Sequence, residues 1–418
     1  MKVCIPFFLW IAVIVMPLKA SAGEPLIHAS GYLKGFFMAL DPADMEGDLE
    51  ADNHPMEGLA IHRARVKFFS KPWDRISMEL AYELVPVVVG EASLLGDAGS
   101  GLTFTQEIPY RLADFDRQLY PAPGDEVGSF VLGHNLDRAF VTLSPRFADF
   151  HLGRQPISSG VARVVNPTDL FAPFAFTELD KEEKSGVDAI RARVPLGAMG
   201  ELDAGVVFGD ECDPKESAAF LNVKVYVEKT DVTLTNIAFR ENMLFGVSLA
   251  RAVDGAGFYL EAAYTFAGLL SDPLPEEDYL RVSTGLDYHF SEGVYLFFEY
   301  HFSGASEGTP EEYLSQLSKT AFQEGGVYLL GRNYLIPGIA YEITPLWHAS
   351  GQVLINVEDG SALFAPRLEY NFVEDVVLEA GAFVPVGRKA RASAVIPEPE
   401  SEFGLYPTLF FTSVRLYF

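Results

Sequence analysis

Cysteine is nearly missing from this chain of 418 residues, which has two, Cys4 and Cys212. Cys4 falls in an N-terminal segment that reads as a removable leader, so one thiol would remain. A single cysteine excludes an internal disulfide and a cysteine-based zinc or iron–sulfur site. Basic charge is scarce too. Against 58 Asp and Glu stand 31 Lys and Arg, giving a net charge of −27. Loss of the leader, with Lys2 and Lys19 and no acid, takes this to −29 (−27 less two lysines). A balance so acidic argues against nucleic acid as a partner. A second long apolar run is also absent. No stretch after the leader approaches the roughly 20 apolar residues that a membrane-spanning helix needs.

The leader itself is well marked. Met1 and Lys2 precede an apolar run from Val3 to Val15, and Lys19-Ala20-Ser21-Ala22-Gly23 follows. A basic start, a short apolar core and a small-x-small end describe a cleavable secretory signal, with the cut expected after Ala22. Pro6, Pro17 and Lys19 leave the run too short to anchor the chain in a bilayer. Cys4 lies too early to be a lipid-modified residue at the cut.

A chain of 49% hydrophobic residues without spanning helices needs another way to bury them. Lipid admits only helices and closed barrels, because every backbone polar group must find a partner inside the protein. Barrel strands alternate apolar and polar residues with period two. Here Ala64, Val66 and Phe68 oppose Arg63, Arg65 and Lys67, and Met78, Leu80 and Tyr82 oppose Ser77, Glu79 and Glu83. Val282, Leu286 and Tyr288 oppose Arg281, Ser283 and Asp287, Phe298 and Tyr300 oppose Glu299, and Leu368 and Tyr370 oppose Arg367 and Glu369. Arg or Lys on the lipid face near midplane would cost about 2–4 kcal/mol each. The charged faces therefore point inward, and the reading is an all-β transmembrane antiparallel β-barrel with a wet lumen.

Strand counting agrees. Eighteen segments alternate, an even number as single-chain bacterial barrels require, and sixteen is also compatible. Tight turns near Lys71-Pro72, Pro145-Arg146, Gly197-Ala198, Lys229, Asp254, Glu292, Thr344 and Glu374 form one end. Mostly longer connections form the other, above all 87–129 and 156–184, so residues 23–418 read as one barrel with short periplasmic turns and long outer loops.

The last residues, Phe410 to Phe418, set Phe410, Val414, Leu416 and Phe418 against Ser413, Arg415 and Tyr417. Alternation ending on an aromatic resembles the C-terminal strand that outer-membrane barrels present to their assembly machinery, with Val414, Leu416 and Phe418 as the signal. A second resemblance lies in Gly153-Arg154-Gln155 followed by Asn166-Pro167-Thr168-Asp169. This strand end and Asn-Pro-x-Asp loop resemble the outer-membrane porins of Gram-negative bacteria, including the phosphate-selective and alginate-export types. The lysine ladder of a phosphate-selective pore is absent. The resemblance implies an outer-membrane location among lipid and lipopolysaccharide, and a water-filled channel for passive diffusion of ions or small polar solutes. It also implies a third outer loop, 156–184, that folds inward as a constriction. A homotrimer is compatible with it, and no cofactor is expected.

Two readings of that loop stand side by side. Pro167 breaks any strand and Asp169 then accepts local backbone bonds, which is plain turn chemistry. Alternatively, Arg154, Arg163, Asp169, Asp180 and Lys181 line a narrow ring whose charge sets selectivity. Glu178, Asp180, Glu182 and Glu183 could equally form a solvated rim for calcium or magnesium, although no Gly-centred loop supports it. Lumen-facing charges expected on the strands are Arg63, Arg65, Lys67, Glu79, Glu83, Asp149, His151, Arg191, Arg193, Arg281, Asp287, Glu299, Arg367 and Glu369. Arg63, Arg65 and Lys67 should lie beside Glu79 and Glu83, where opposite charges contribute about 0.2–1 kcal/mol per pair. A different use of such a barrel is a sheath for a multihaem cytochrome or a polysaccharide conduit. The chain has no Cys-x-x-Cys-His, so a partner would have to bring the haem. An outer-membrane hydrolase is the remotest reading; Asp149 with His151, and Asp287, His289 and Ser283, supply residue types without a motif.

Overall fold

The computed structural model describes residues 27–418 apart from 44, 48–55, 91–108, 116, 123–124, 126–127, 271–276 and 393–396. The expected leader, residues 1–22, lies outside the described residues. The chain begins with β1 (Ile27–Asp41), β2 (Glu57–Trp73), β3 (Ile76–Val89), β4 (Gln118–Tyr120), β5 (Phe130–Leu143) and β6 (Asp149–Gln155). It continues through β7 (Val187–Leu196), β8 (Gly200–Val207), β9 (Ala218–Val227), β10 (Thr230–Phe239), β11 (Asn242–Val253) and β12 (Ala256–Phe266). Next come β13 (Tyr279–His289), β14 (Val294–Ser303), β15 (Asn333–Thr344), β16 (Trp347–Asn356), β17 (Ala362–Val373), β18 (Val376–Val386) and β19 (Thr408–Tyr417).

Eighteen of these strands close an antiparallel barrel, each paired with its neighbours in sequence. The first and last pair along their length, from Tyr32 opposite Tyr417 to Asp41 opposite Thr408. The three-residue β4 is additional: it lies against the outer end of β5, with Gln118 opposite Gly133. The inner turns are tight, as at Asp254-Gly255, where both residues have positive φ (48° and 86°). That is the backbone of a two-residue hairpin whose twist matches the strands it joins. β15 begins at Asn333; just before it the Leu330 N–H goes to the Glu402 carboxylate (2.9 Å) instead of a strand partner. The last strand begins at Thr408, after a 3₁₀ turn at Phe403–Leu405.

The period-two pattern sorts the two faces. Leu33, Phe37, Phe68, Leu80, Phe245, Phe298, Phe410, Val414, Leu416 and Phe418 are exposed on the outer wall, where lipid would cover them. The inward face departs from the uniformly wet lumen expected above. Towards the inner turns it carries charges, but towards the long loops it is apolar. There Phe36, Met38, Leu40, Leu59, Ile61, Val85, Val87, Val89, Ile336, Phe383 and Phe411 are buried against loop residues Val165, Phe176, Leu329 and Phe403. On the other side of the barrel Tyr110, Ile157, Leu170 and Phe171 pack on Val187, Val207, Phe220, Ile237, Phe239 and Leu244. Each large apolar side chain buried this way contributes about 1.5–3 kcal/mol, so these loops are held in place by a core of their own.

Candidate functional site

The third outer loop, residues 156–186, enters the barrel and is held at two places. At the first, two inward carboxylates meet its backbone. Glu261 on β12 accepts the N–H groups of Val161 (2.7 Å), Ala162 (3.2 Å) and Thr168 (2.7 Å), and the Thr168 hydroxyl (2.7 Å). Glu299 on β14 accepts those of Arg163 (2.7 Å), Val164 (3.2 Å) and Val165 (2.9 Å), and the Tyr259 hydroxyl (2.9 Å). Between them, β13 turns donors to the loop carbonyls: Ser283 Oγ to Val165 (2.6 Å) and Arg281 to Pro167 (2.6 Å). Arg163 completes the contact by donating to Asp287 (2.7 Å). Gly160 is required here. Its φ is +108°, and a Cβ would stand 2.2 Å from Asn166 Oδ1 and 2.8 Å from Glu261 Oε2.

At the second place the loop supplies the carboxylates. Asp180 accepts from Lys34 on β1 (2.9 Å) and Arg63 on β2 (3.1 Å). Glu182 accepts from Lys34 (2.7 Å), from Arg415 on β19 (3.1 Å) and from the Tyr417 hydroxyl (2.5 Å). Glu183 meets Arg138 on β5 (3.2 Å) and Arg65 on β2 (3.7 Å). The strand register slips by one between β3 and β5 at this level, and both Asp137 and Arg138 are buried and engaged with the interior. Asp137 joins Arg65 (2.7 Å) to the Gly186 N–H (2.9 Å). Such bulges re-aim side chains. β2 and β12 stand nine strands apart either way round the barrel, so the loop spans a diameter of the lumen.

The five residues read as a charged ring are therefore separated. Arg154 is fixed at the wall by Asp188 (2.8 Å), by Asp114 (3.1 Å) and by the carbonyls of Leu136 and Ala113 (3.0 Å each). Asp169 is buried and paired with Lys184 at the neck of the loop. Burial pushes its carboxyl up to about 6 against the pull of Lys184. Arg163 is at the Asp287 wall. Only Asp180 and Lys181 come together, in a cavity of about 350 Å³ lined also by Arg367, Glu369, Glu379, Arg415, His348 and Phe36. Burial would raise the Asp180 carboxyl, but Arg63 and Lys34 outweigh it and hold it below the usual range. Lys181 donates to the Phe176 carbonyl (3.1 Å) and has no carboxylate partner among the described residues; burial, with Arg367 nearby, lowers its ammonium to about 8. Of Glu178, Asp180, Glu182 and Glu183, Asp180 is buried, Glu182 and Glu183 are partly exposed, and the last three are met by cations. Among the described residues no group of three His, Cys, Asp or Glu side chains is placed to hold a metal ion.

The strand charges fall into two groups. Lys67 pairs with Glu79 (3.1 Å), Arg65 with Glu83 (2.9 Å), Arg191 with Asp203 (2.7 Å) and Arg193 with Glu201 (2.8 Å). His151 lies 3.0 Å from Thr142 Oγ1, and exposed Asp149 stands opposite Arg193. Arg367 meets Glu379 (3.3 Å), and Glu369 meets Arg415 (2.7 Å). Arg63, Arg281, Asp287 and Glu299 instead grip the third loop. Sequence reasoning missed Lys34, Asp137, Arg138, Glu261 and Glu379 as site residues; strict alternation on their strands would flag Lys34, Glu261 and Glu379, whereas Asp137 and Arg138, adjacent in sequence, both reach the interior only through the register slip. The residue types considered for hydrolysis are not assembled: Asp287 holds Arg163, His289 meets the Phe290 carbonyl (3.1 Å), and Ser283 binds His301 Nδ1 (2.8 Å) under the loop.

No protein-family model matches the chain, and no curated protein matches it. Solved structures do. OccAB2 of Acinetobacter baumannii aligns over 94% of this chain and 99% of its own, at 11% identity and a TM-score of 0.55. A BenF-like porin from Pseudomonas fluorescens Pf-5 aligns over 94% and 99%, at 11% and 0.53. OccD3 (OpdP) of Pseudomonas aeruginosa aligns over 97% and 96%, at 9% and 0.51. The fold is that of the Gram-negative outer-membrane porins. The chain shares that barrel architecture, and its closed sheet and apolar outer wall suit it to a membrane.

Proposed function

We propose that the protein lets small ions and polar solutes diffuse passively across the outer membrane, with loop 156–184 as the constriction. The observation that carries this reading is the course of the loop across a diameter, pinned to both walls. The path then runs beside the loop, past Lys181, Arg367 and Arg415 on one side of the charge balance and Glu369 and Glu379 on the other. Both signs are present there, so ion selectivity should be weaker than the net charge of −27 suggests. A sheath for an inserted cytochrome has less support, because the chain's own loops fill the outer half of the lumen with apolar side chains.

Conductance of the refolded protein in a planar bilayer tests the reading, with a salt gradient for selectivity. Small, stable steps with a weak ion bias are expected, and shortening the loop between residues 170 and 182 should enlarge them. Silence from a folded barrel, or steps unchanged by the shortening, would overturn it. Liposome swelling with vanillate is a natural first solute probe, because OpdK of Pseudomonas aeruginosa, of the same fold, was solved with it.

A further inference from the structure

The backbone of the third loop from Val161 to Thr168 forms no strand or helix, yet it runs through the barrel interior. Six of its N–H groups reach only two acceptor side chains, and both carboxylates are wholly shielded from solvent. Buried backbone donors must be paired, so the loop has this course only where those acceptors stand. The contact uses backbone atoms almost throughout; of the loop's side chains only Thr168 and Arg163 take part.

We propose that Glu261 and Glu299 are positioning residues that set the bore of the channel by fixing the course of this loop. The proposal rests on the constriction reading above. A carboxylate is the group this contact needs, because each of the two oxygens of Glu261 accepts two hydrogen bonds. In glutamine one oxygen becomes an N–H₂, which confronts backbone donors with further donors at nearly unchanged volume.

Single-channel conductance of Glu261→Gln/Glu299→Gln, refolded and shown to be closed by its heat-modifiable gel mobility, tests the proposal. The control is Glu79→Gln, which pairs with Lys67 and touches no residue of the third loop. The double variant should conduct severalfold better than the parent, the control should match the parent, and amide exchange at 161–165 and 168 should accelerate only in the double variant. A double variant with parental conductance, when the loop-shortened protein conducts better, would overturn the proposal and leave the constriction standing. If shortening also changes nothing, the constriction reading fails and takes the proposal with it. If the double variant does not close, Glu299→Asp keeps the charge and withdraws it by one methylene. A partial rise in conductance with faster exchange at 163–165 then supports the proposal, and parental values for both overturn it.

Discussion

At the β12–β14 wall the third loop offers backbone N–H groups to two shielded carboxylates, whereas at the β19–β1–β2 wall it offers carboxylates to lysine and arginine. The first attachment is made mostly by backbone N–H groups on fully buried carboxylates, and only its half-exposed Arg163–Asp287 pair is open to salt. The second is graded: Lys34 and Asp180 are buried, while Glu182 and Glu183 are about a third exposed. Exposed pairs are screened and contribute about 0–1 kcal/mol. The difference teaches that one end is a fixed hinge and the other a latch that solution conditions can loosen.

The largest effect should come from spoiling the hinge. Gly160→Val places a branched side chain at positive φ, into Asn166 and Glu261, and should open the conductance as far as the double clamp variant does. Parental conductance in a folded Gly160→Val barrel would mean that the hinge does not govern the bore. Next comes the latch. Lys34→Met removes a fully buried cation from two carboxylates, and breaking such a pair costs about 3–5 kcal/mol. Recordings should show flicker to larger steps, more often at high salt. Quiet traces at every salt concentration would erase the distinction between the two ends.

A smaller change should follow pH. Lys181, lowered to about 8, carries its charge below that value and loses it above. Reversal potentials should therefore drift towards cations between pH 7 and 9, and Lys181→Gln should remove the drift. The smallest effect lies above the loop. Burial pushes the Glu402 carboxyl up from 4.5 to about 7, against the hydrogen bonds from Leu330, Tyr334 and Asn356. A carboxyl raised on folding stabilises most fully below its ordinary value and loses that contribution as pH rises through the folded one. Tm should decline from pH 5 to pH 8, and Glu402→Gln should flatten that slope.

The barrel was legible because lipid forbids charge on one face, so Arg63, Arg65 and Lys67 could point only one way. The site was less legible for two reasons. Glu261 and Glu299 resemble any other inward charge, and their partners lie 93 to 136 residues away along the chain. The apolar outer half of the lumen had a signal that went unread. In Val85-Pro86-Val87-Val88-Val89 both faces are apolar, which is the mark of a strand covered on both sides. Alternation alone could not say that the second cover was the protein's own loops.

Glu182 holds Lys34 on the first strand and both Arg415 and Tyr417 on the last. These two strands meet at the seam where the sheet is zipped shut. A residue from the middle of the chain therefore staples its two ends together, in addition to the backbone ladder between them. Mechanical unzipping from either terminus must tear out this staple, and a barrel that lacks it should part first at that line.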